Sequence, residues 1–133
     1  MILLDTHALV WMDADDAAMG SKTRDVVQQA WQAQRLAVSA ISFWECAMLQ
    51  ARGRLKLPRS PVVWRAELLA AGLIEVPIDG EIALLAAGIE SLHKDPADRF
   101  IAATAIVKGA ALVTADAKLL KWKHGLKRHD ARK

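Results

Sequence analysis

The sequence predicts an α/β domain with a central parallel β-sheet flanked by helices on both faces. Two observations carry this. Short apolar runs at residues 2–5, 36–39, 73–78 and 111–114 alternate with longer segments of helical character. Strands separated by helices pair in parallel and need both sheet faces covered. Glycine and proline mark the joins: Pro61 and Pro96 open helical segments, and Gly53, Gly72 and Gly109 close them.

The first strand is read at 2–5, followed by helices at 6–13 and at 21–34, the latter with Ser21 as N-cap. Leu36 to Ser39 is the second strand. Residues 40–52 form a helix that ends at Gly53, and 61–71 form another that starts after Ser60 and stops at Gly72. Leu73 to Ile78 is the third strand. Residues 80–91 and 96–108 are helices, Ala111 to Thr114 the fourth strand, 116–122 a short helix, and a weak last strand lies near Leu126.

A chain of 133 residues with no repeat and no low-complexity linker reads as a single domain spanning 1–133, long enough to bury its own core. Hydrophobic residues at 53% against 25% charged exclude a disordered chain. No apolar run approaches the roughly 20 residues that cross a membrane, and no export signal is visible, so a cytoplasmic protein is expected. The lone Cys46 excludes an internal disulfide and fits a reducing compartment. The net charge of +3 is unevenly spread: one basic cluster is Arg52, Arg54, Lys56 and Arg59, and another is the tail with Lys118, Lys121, Lys123, Lys127, Arg128, Arg132 and Lys133. Such patches suit a polyanion held by its backbone, or equally a solvated surface.

Four acids stand where burial is expected. Asp5 closes the run Ile2-Leu3-Leu4, and Asp116 follows Ala111 to Thr114, so both fall at strand carboxyl ends, where open α/β sheets bind ligands. Glu45 lies beside Trp44 and Met48 and four residues after Ile41, on what the apolar spacing marks as the inner face of its helix. Asp98 sits in the first turn of a helix that is apolar nearly all round. Each has a plain structural reading: Asp5 and Asp116 as helix caps, Asp98 as a first-turn acid behind an Asp95 cap, and Glu45 as a partner of Arg52. Taken together these readings weaken, because unpaired buried carboxylates cost several kcal/mol each and four at one sheet edge are tolerable around a cation. The four histidines lack zinc-like spacing, and oxygen-only ligands select Mg²⁺ or Mn²⁺.

The stretches Leu3-Leu4-Asp5-Thr6-His7-Ala8-Leu9-Val10-Trp11, Ile41-Ser42-Phe43-Trp44-Glu45 with Gly53-Arg54-Leu55-Lys56-Leu57, and His93-Lys94-Asp95-Pro96-Ala97-Asp98-Arg99 through Leu112-Val113-Thr114-Ala115-Asp116 resemble the PIN-domain ribonucleases, and among them the VapC toxins of type II toxin–antitoxin pairs. The resemblance spans nearly the whole chain; Ala97 departs from the family's usual phenylalanine and leaves the acids intact. It implies a PIN-like fold and a Mg²⁺-dependent endoribonuclease, dimeric and held by a VapB-like antitoxin. By it, Asp5, Glu45, Asp98 and Asp116 are the metal-binding and catalytic acids, with Thr114 a polar neighbour behind them. The expected chemistry is metal-assisted RNA hydrolysis, with Asp5, Asp98 and Asp116 on the ion and Glu45 on a second ion or on the attacking water. Phosphate contacts are expected from Arg52, Arg54, Lys118 and Lys121.

Two other readings stay open. An aspartate-based phosphatase also places an Asp after the first strand, but would want a second acid where His7 stands. A degenerate PIN-like module would bind RNA or a partner without cutting, and the presence of all four acids argues against it.

Overall fold

The computed structural model describes residues 1–89, 95–122 and 124–133. The end of the predicted 80–91 helix, His93 and Lys94 of the third motif, and Lys123 lie outside the described residues. The elements run β1 (Ile2–Leu4), α1 (Thr6–Ala14), α2 (Ser21–Gln32), β2 (Leu36–Ser39), α3 (Ala40–Ala51), α4 (Pro61–Ala70), β3 (Ile74–Val76), α5 (Gly80–Ala87), α6 (Pro96–Lys108), β4 (Ala111–Thr114), α7 (Ala117–Lys121) and β5 (Lys127–Asp130).

All five strands are parallel, in the order β3-β2-β1-β4-β5. Ile2 pairs with Leu36 on one side and Ala111 on the other, which makes β1 the centre. The run of β1 explains its place: Leu3 and Leu4 are both buried, on opposite faces, as a strand covered from both sides requires. Leu3, Ala37 and Leu112 face a core built with α5, α6 and α7 through Ile82, Ala86, Ile101, Ala105 and Leu119. Leu4, Val38 and Val113 face a second core built with α1, α2, α3 and α4 through Leu9, Val27, Cys46, Trp64 and Leu68. The sheet with helices on both faces follows from this alternation.

The chain leaves β1 towards β2 and β3, then returns to the other side of β1 for β4 and β5. Strand order therefore reverses between β1 and β4. In open parallel sheets the crevice beyond the strand carboxyl ends at such a reversal is where ligands bind. Asp5 follows β1 directly, and Asp116 stands two residues past the end of β4.

Some sequence expectations shift by a residue or two. The 73–78 strand shortens to Ile74–Val76, and β5 starts just after Leu126. Ser21 is the first residue of α2, and Gly20 is its N-cap. The reason lies at the far end of the chain. The Gly20 N–H donates to Ala131 O at 3.0 Å, and a Cβ there would meet the backbone of Lys133 at 2.2 Å. The C-terminal tail occupies the space where a capping side chain would stand.

Candidate active site

The first turn of α1 anchors the site. Asp5 has extended backbone, the N-cap conformation, and its Oδ1 accepts the Thr6 N–H at 2.8 Å. Its Oδ2 accepts the Thr114 hydroxyl at 2.6 Å, across from the end of β4. Asp5 is 3% exposed, so both oxygens have traded water for these donors. Thr114 also accepts the Asp116 N–H at 3.0 Å, and Asp116 caps α7 by accepting the Lys118 N–H at 2.7 Å. The plain capping readings of Asp5 and Asp116 thus hold in the fold. They do not compete with a ligand role, because each carboxylate oxygen keeps a further lone pair.

Asp98 arrives from α6. Asp95 caps that helix through the Ala97 N–H at 3.0 Å, and Pro96 leads it. This sets Asp98 in the first turn, 8% exposed, facing inward. Burial, and then the carboxylates of Asp95, Asp5, Asp116 and Glu45, push Asp98 from 3.8 up to about 8. The same set acts on its neighbours. Burial holds Asp5 above the ordinary range although Thr114, Thr6 and His7 oppose it. Glu45 is raised by burial and by Asp95 and Asp5, against the Thr6 hydrogen bond.

Glu45 comes from α3, and here the sequence expectation is corrected. The spacing of Ile41, Trp44 and Met48 marks them as the inner face, but the structure buries Ser42 and Cys46 and leaves Trp44 54% exposed. The helix straddles the carboxyl edge of the sheet: Ile41 packs on one core, Phe43 and Cys46 on the other. Ser42 turns inward because it has a partner there, the Thr6 hydroxyl at 2.9 Å. Glu45 lies on the border of the buried face and is held by Thr6, not by Arg52, which is exposed. Burial pushes the Cys46 thiol up to about 12, so it is a packing group and not a nucleophile.

The ion pairs among the described residues are Arg24–Asp15, Arg59–Glu67 and Arg65–Glu75, and none involves the four acids. Among the described residues the carboxylates therefore face one another with no Lys or Arg ion pair, and His7 is the basic side chain that favours the ionised forms of Asp5 and Glu45. The four acids stand within repulsion range but not within the span of one ion: among the described residues no three His, Cys, Asp or Glu side chains form a closed ligand group. The donors are all oxygen, already mutually destabilised, and suit a hard divalent cation. Asp5, Asp98, Asp116 and Glu45 are the residues that would hold it.

Sequence reasoning brings Asp5, Glu45, Asp98, Asp116 and Thr114 together, and the structure places them at one edge. It leaves out three residues. Asp95 is read as a cap alone, yet among the charges acting on Asp98 it is the strongest. Thr6 and Ser42 escape because hydroxyls carry no period; the one signal is the i, i+3 spacing of Ser42 and Glu45 on a helix. Arg52, Arg54, Lys118 and Lys121 are all exposed. Two tail cations belong to the fold instead: Arg128 donates to Leu119 O and Trp122 O, and Arg132 donates to Ala115 O and lies over the Trp11 ring.

Residues 2–124 match the family model of the PIN domain. The chain is 35% identical over 124 residues to Ribonuclease VapC22 of Mycobacterium tuberculosis, covering 92% of each. Its fold is similar to that in the crystal structure of VapBC2 from Rickettsia felis bound to a promoter DNA fragment, with TM-score 0.71, 18% identity, and 97% and 98% of the two chains covered. It is also similar to that in DNA-bound VapBC from Salmonella typhimurium, with TM-score 0.68, 20% identity, and 97% and 96% covered. At these identities the two structures bear on the fold.

Proposed function

Because the chain belongs to the PIN-domain family, among the VapC ribonucleases, we propose that it is a metal-dependent endoribonuclease, the toxin of a VapB–VapC-type pair. The observation that carries the site is the set of buried Asp5 and Asp98 with half-buried Glu45 and Asp116, and Asp95 beside it, at the β1/β4 reversal and with no Lys or Arg ion pair to them among the described residues. Asp5, Asp98 and Asp116 would hold a Mg²⁺ or Mn²⁺ ion once their side chains close around it, and Glu45 would either share a second or orient the attacking water. When bound, such an ion lowers the cost of ionising water and neutralises charge gathering on the phosphoryl oxygens.

The chain's own residues do the rest. Thr114 and the Thr6 N–H fix Asp5 so that its remaining lone pairs point in set directions. Burial and its acidic neighbours move Asp98 to about 8, so the metal-free protein favours its protonated form near neutral pH, and holding a cation would require that proton to leave. The scissile phosphate would meet exposed Lys118 and Lys121 on α7, beside Asp116, and exposed Arg52 and Arg54 after α3 would hold the RNA backbone further along. Water attack of this kind leaves a 5′-phosphate and a 3′-hydroxyl and does not use the 2′-hydroxyl.

The partners follow from the same family. A VapB-like antitoxin covers the toxin, as the solved VapBC complexes of the relatives suggest. A homodimer is favoured by exposed Trp44, Val62 and Val63, which a lone subunit would leave in water. No helix among the described residues is long and apolar enough to cross a membrane. The deciding test is purified protein with RNA in Mg²⁺ or Mn²⁺ and in EDTA, with end-group analysis. Cleavage to 5′-phosphates that stops in EDTA is expected. Cleavage that survives thorough chelation, or yields cyclic phosphates, overturns the metal mechanism; phosphate release without RNA scission returns the phosphatase reading.

A further inference from the structure

Thr6 has two separate attachments to the site. Its N–H donates to Asp5 Oδ1 at 2.8 Å, and its hydroxyl lies in hydrogen-bond contact with Glu45 Oε1 and 2.9 Å from the Ser42 hydroxyl. Thr6 is 3% exposed and Ser42 is 0% exposed, so water does not compete for either hydroxyl. A hydroxyl has one proton to give. An ionised Glu45 only accepts, so the Thr6 proton goes to Glu45 and the Ser42 proton goes to Thr6. Both protons are then used, in one direction only.

From this we propose that Thr6, itself oriented by Ser42, is the positioning residue that holds Glu45 for cleavage. Buried in this way, the relay pins one oxygen, Oε1, and leaves the other to serve the site. It also ties the carboxylate of α3 to the N-terminus of α1, so Asp5 and Glu45 take their orientation from the same residue. A glutamate has three rotatable bonds, and without the relay it is free to swing into the solvent of the half-open edge. Donors that orient a ligating group are typically worth roughly 10–100-fold in affinity or activity. Ser42 acts one step further out, so its loss should matter less than that of Thr6.

The inference rests on the ribonuclease reading, and two readouts keep the two apart. RNA cleavage is measured for wild type, Thr6→Val, Thr6→Ser and Ser42→Ala, and Mn²⁺ binding to the same proteins is titrated calorimetrically. Thr6→Val keeps shape but loses the hydroxyl. It is expected to lower kcat roughly 10–100-fold with KM within about twofold, and to weaken Mn²⁺ in the same range. Thr6→Ser should recover most of both, and Ser42→Ala should fall between. Thr6→Val with wild-type kcat and wild-type Mn²⁺ affinity overturns the proposal, as does Thr6→Ser failing alongside a folded Thr6→Val. Should wild type itself cleave no RNA, the ribonuclease reading fails and the Mn²⁺ titration alone decides the positioning role. Should Thr6→Val not fold, Ser42→Ala decides it: unchanged kcat and Mn²⁺ affinity overturn the relay.

Discussion

The Thr114 hydroxyl donates to Asp5 Oδ2 at 2.6 Å while accepting the Asp116 N–H at 3.0 Å, so one side chain at the end of β4 holds two acids of the site at once. It is 0% exposed, and both hydrogen bonds lie at the β1/β4 reversal. The β4 strand therefore delivers more than Asp116: it presents the donor that keeps the buried Asp5 from standing alone.

Thr114→Val should remove that donor with little change in shape. Leaving a buried carboxylate unsatisfied costs about 1–3 kcal/mol. The variant should melt lower at neutral pH and cleave RNA roughly 10–100-fold more slowly, and Thr114→Ser should restore both. Equal melting temperatures and rates for the Val and wild-type proteins would show that Asp5 needs no support from β4.

How far the sequence could be read depends on what each residue is doing. β1, β2 and β4 were legible because buried parallel strands are apolar on both faces, and Leu3 with Leu4 shows this directly. β5 was faint because Lys127–Asp130 is an edge strand with partly exposed polar residues, its apolar anchors Leu126 and Ala131 lying just outside it. Asp5, Asp98 and Asp116 were legible as positions at strand ends and a helix start. The face of α3 was not: hydropathy favours burying Trp44 over Ser42, but Ser42 goes in because Thr6 awaits it. A partner 36 residues away leaves no trace in a local period.

The basic residues divide into two groups. Arg52, Arg54, Lys118 and Lys121 are exposed, and neutralising them should weaken RNA binding at all sequences alike. The slope of log affinity against log salt should fall by about 0.7 for each single-strand phosphate that the variant no longer neutralises. Arg128→Met should do neither. Its guanidinium satisfies Leu119 O and Trp122 O, so its removal should cost about 1.5–3 kcal/mol of stability with an unchanged slope. Fluorescence titrations at several salt concentrations, with thermal melts, separate the groups. An unchanged slope for the quadruple variant would leave those residues as solvated surface.

Trp44, at 54% exposed, contributes little to the core. Trp44→Ala should alter the stability of the isolated subunit by no more than about 0.5 kcal/mol, yet weaken self-association measured by sedimentation. A wild type that is strictly monomeric at high concentration, and unchanged by its antitoxin, would contradict the proposed assembly.

Asp98 gives the sharpest contrast between a structural and a metal-site role. In the first turn of α6 its charge gains about 0.3–1 kcal/mol from the helix dipole. Against this, burial and four carboxylates move it from 3.8 to about 8. A displacement of even one pH unit corresponds to about 1.4 kcal/mol, so burial together with repulsion should win even if relaxation removes most of it. The sign follows from linkage. A folded-state pKa above the unfolded one means the fold binds the proton more tightly. Stability tied to Asp98 is then fully present below about pH 4 and is lost as pH rises to about 8. Asp98→Asn removes the charge and keeps the shape. In EDTA near neutral pH it should raise the melting temperature by about 3–4 °C for each kcal/mol gained, and flatten the decline between pH 4 and 8, while abolishing cleavage. Mg²⁺ should stabilise the wild type more than the variant, since binding to the folded state adds RT ln(1 + [L]/Kd). Thermal melts of both proteins across that pH range, with and without Mg²⁺, give the decision. A variant less stable than wild type in EDTA, with an equal response to Mg²⁺, would make Asp98 a helix-stabilising acid and remove it from the metal site.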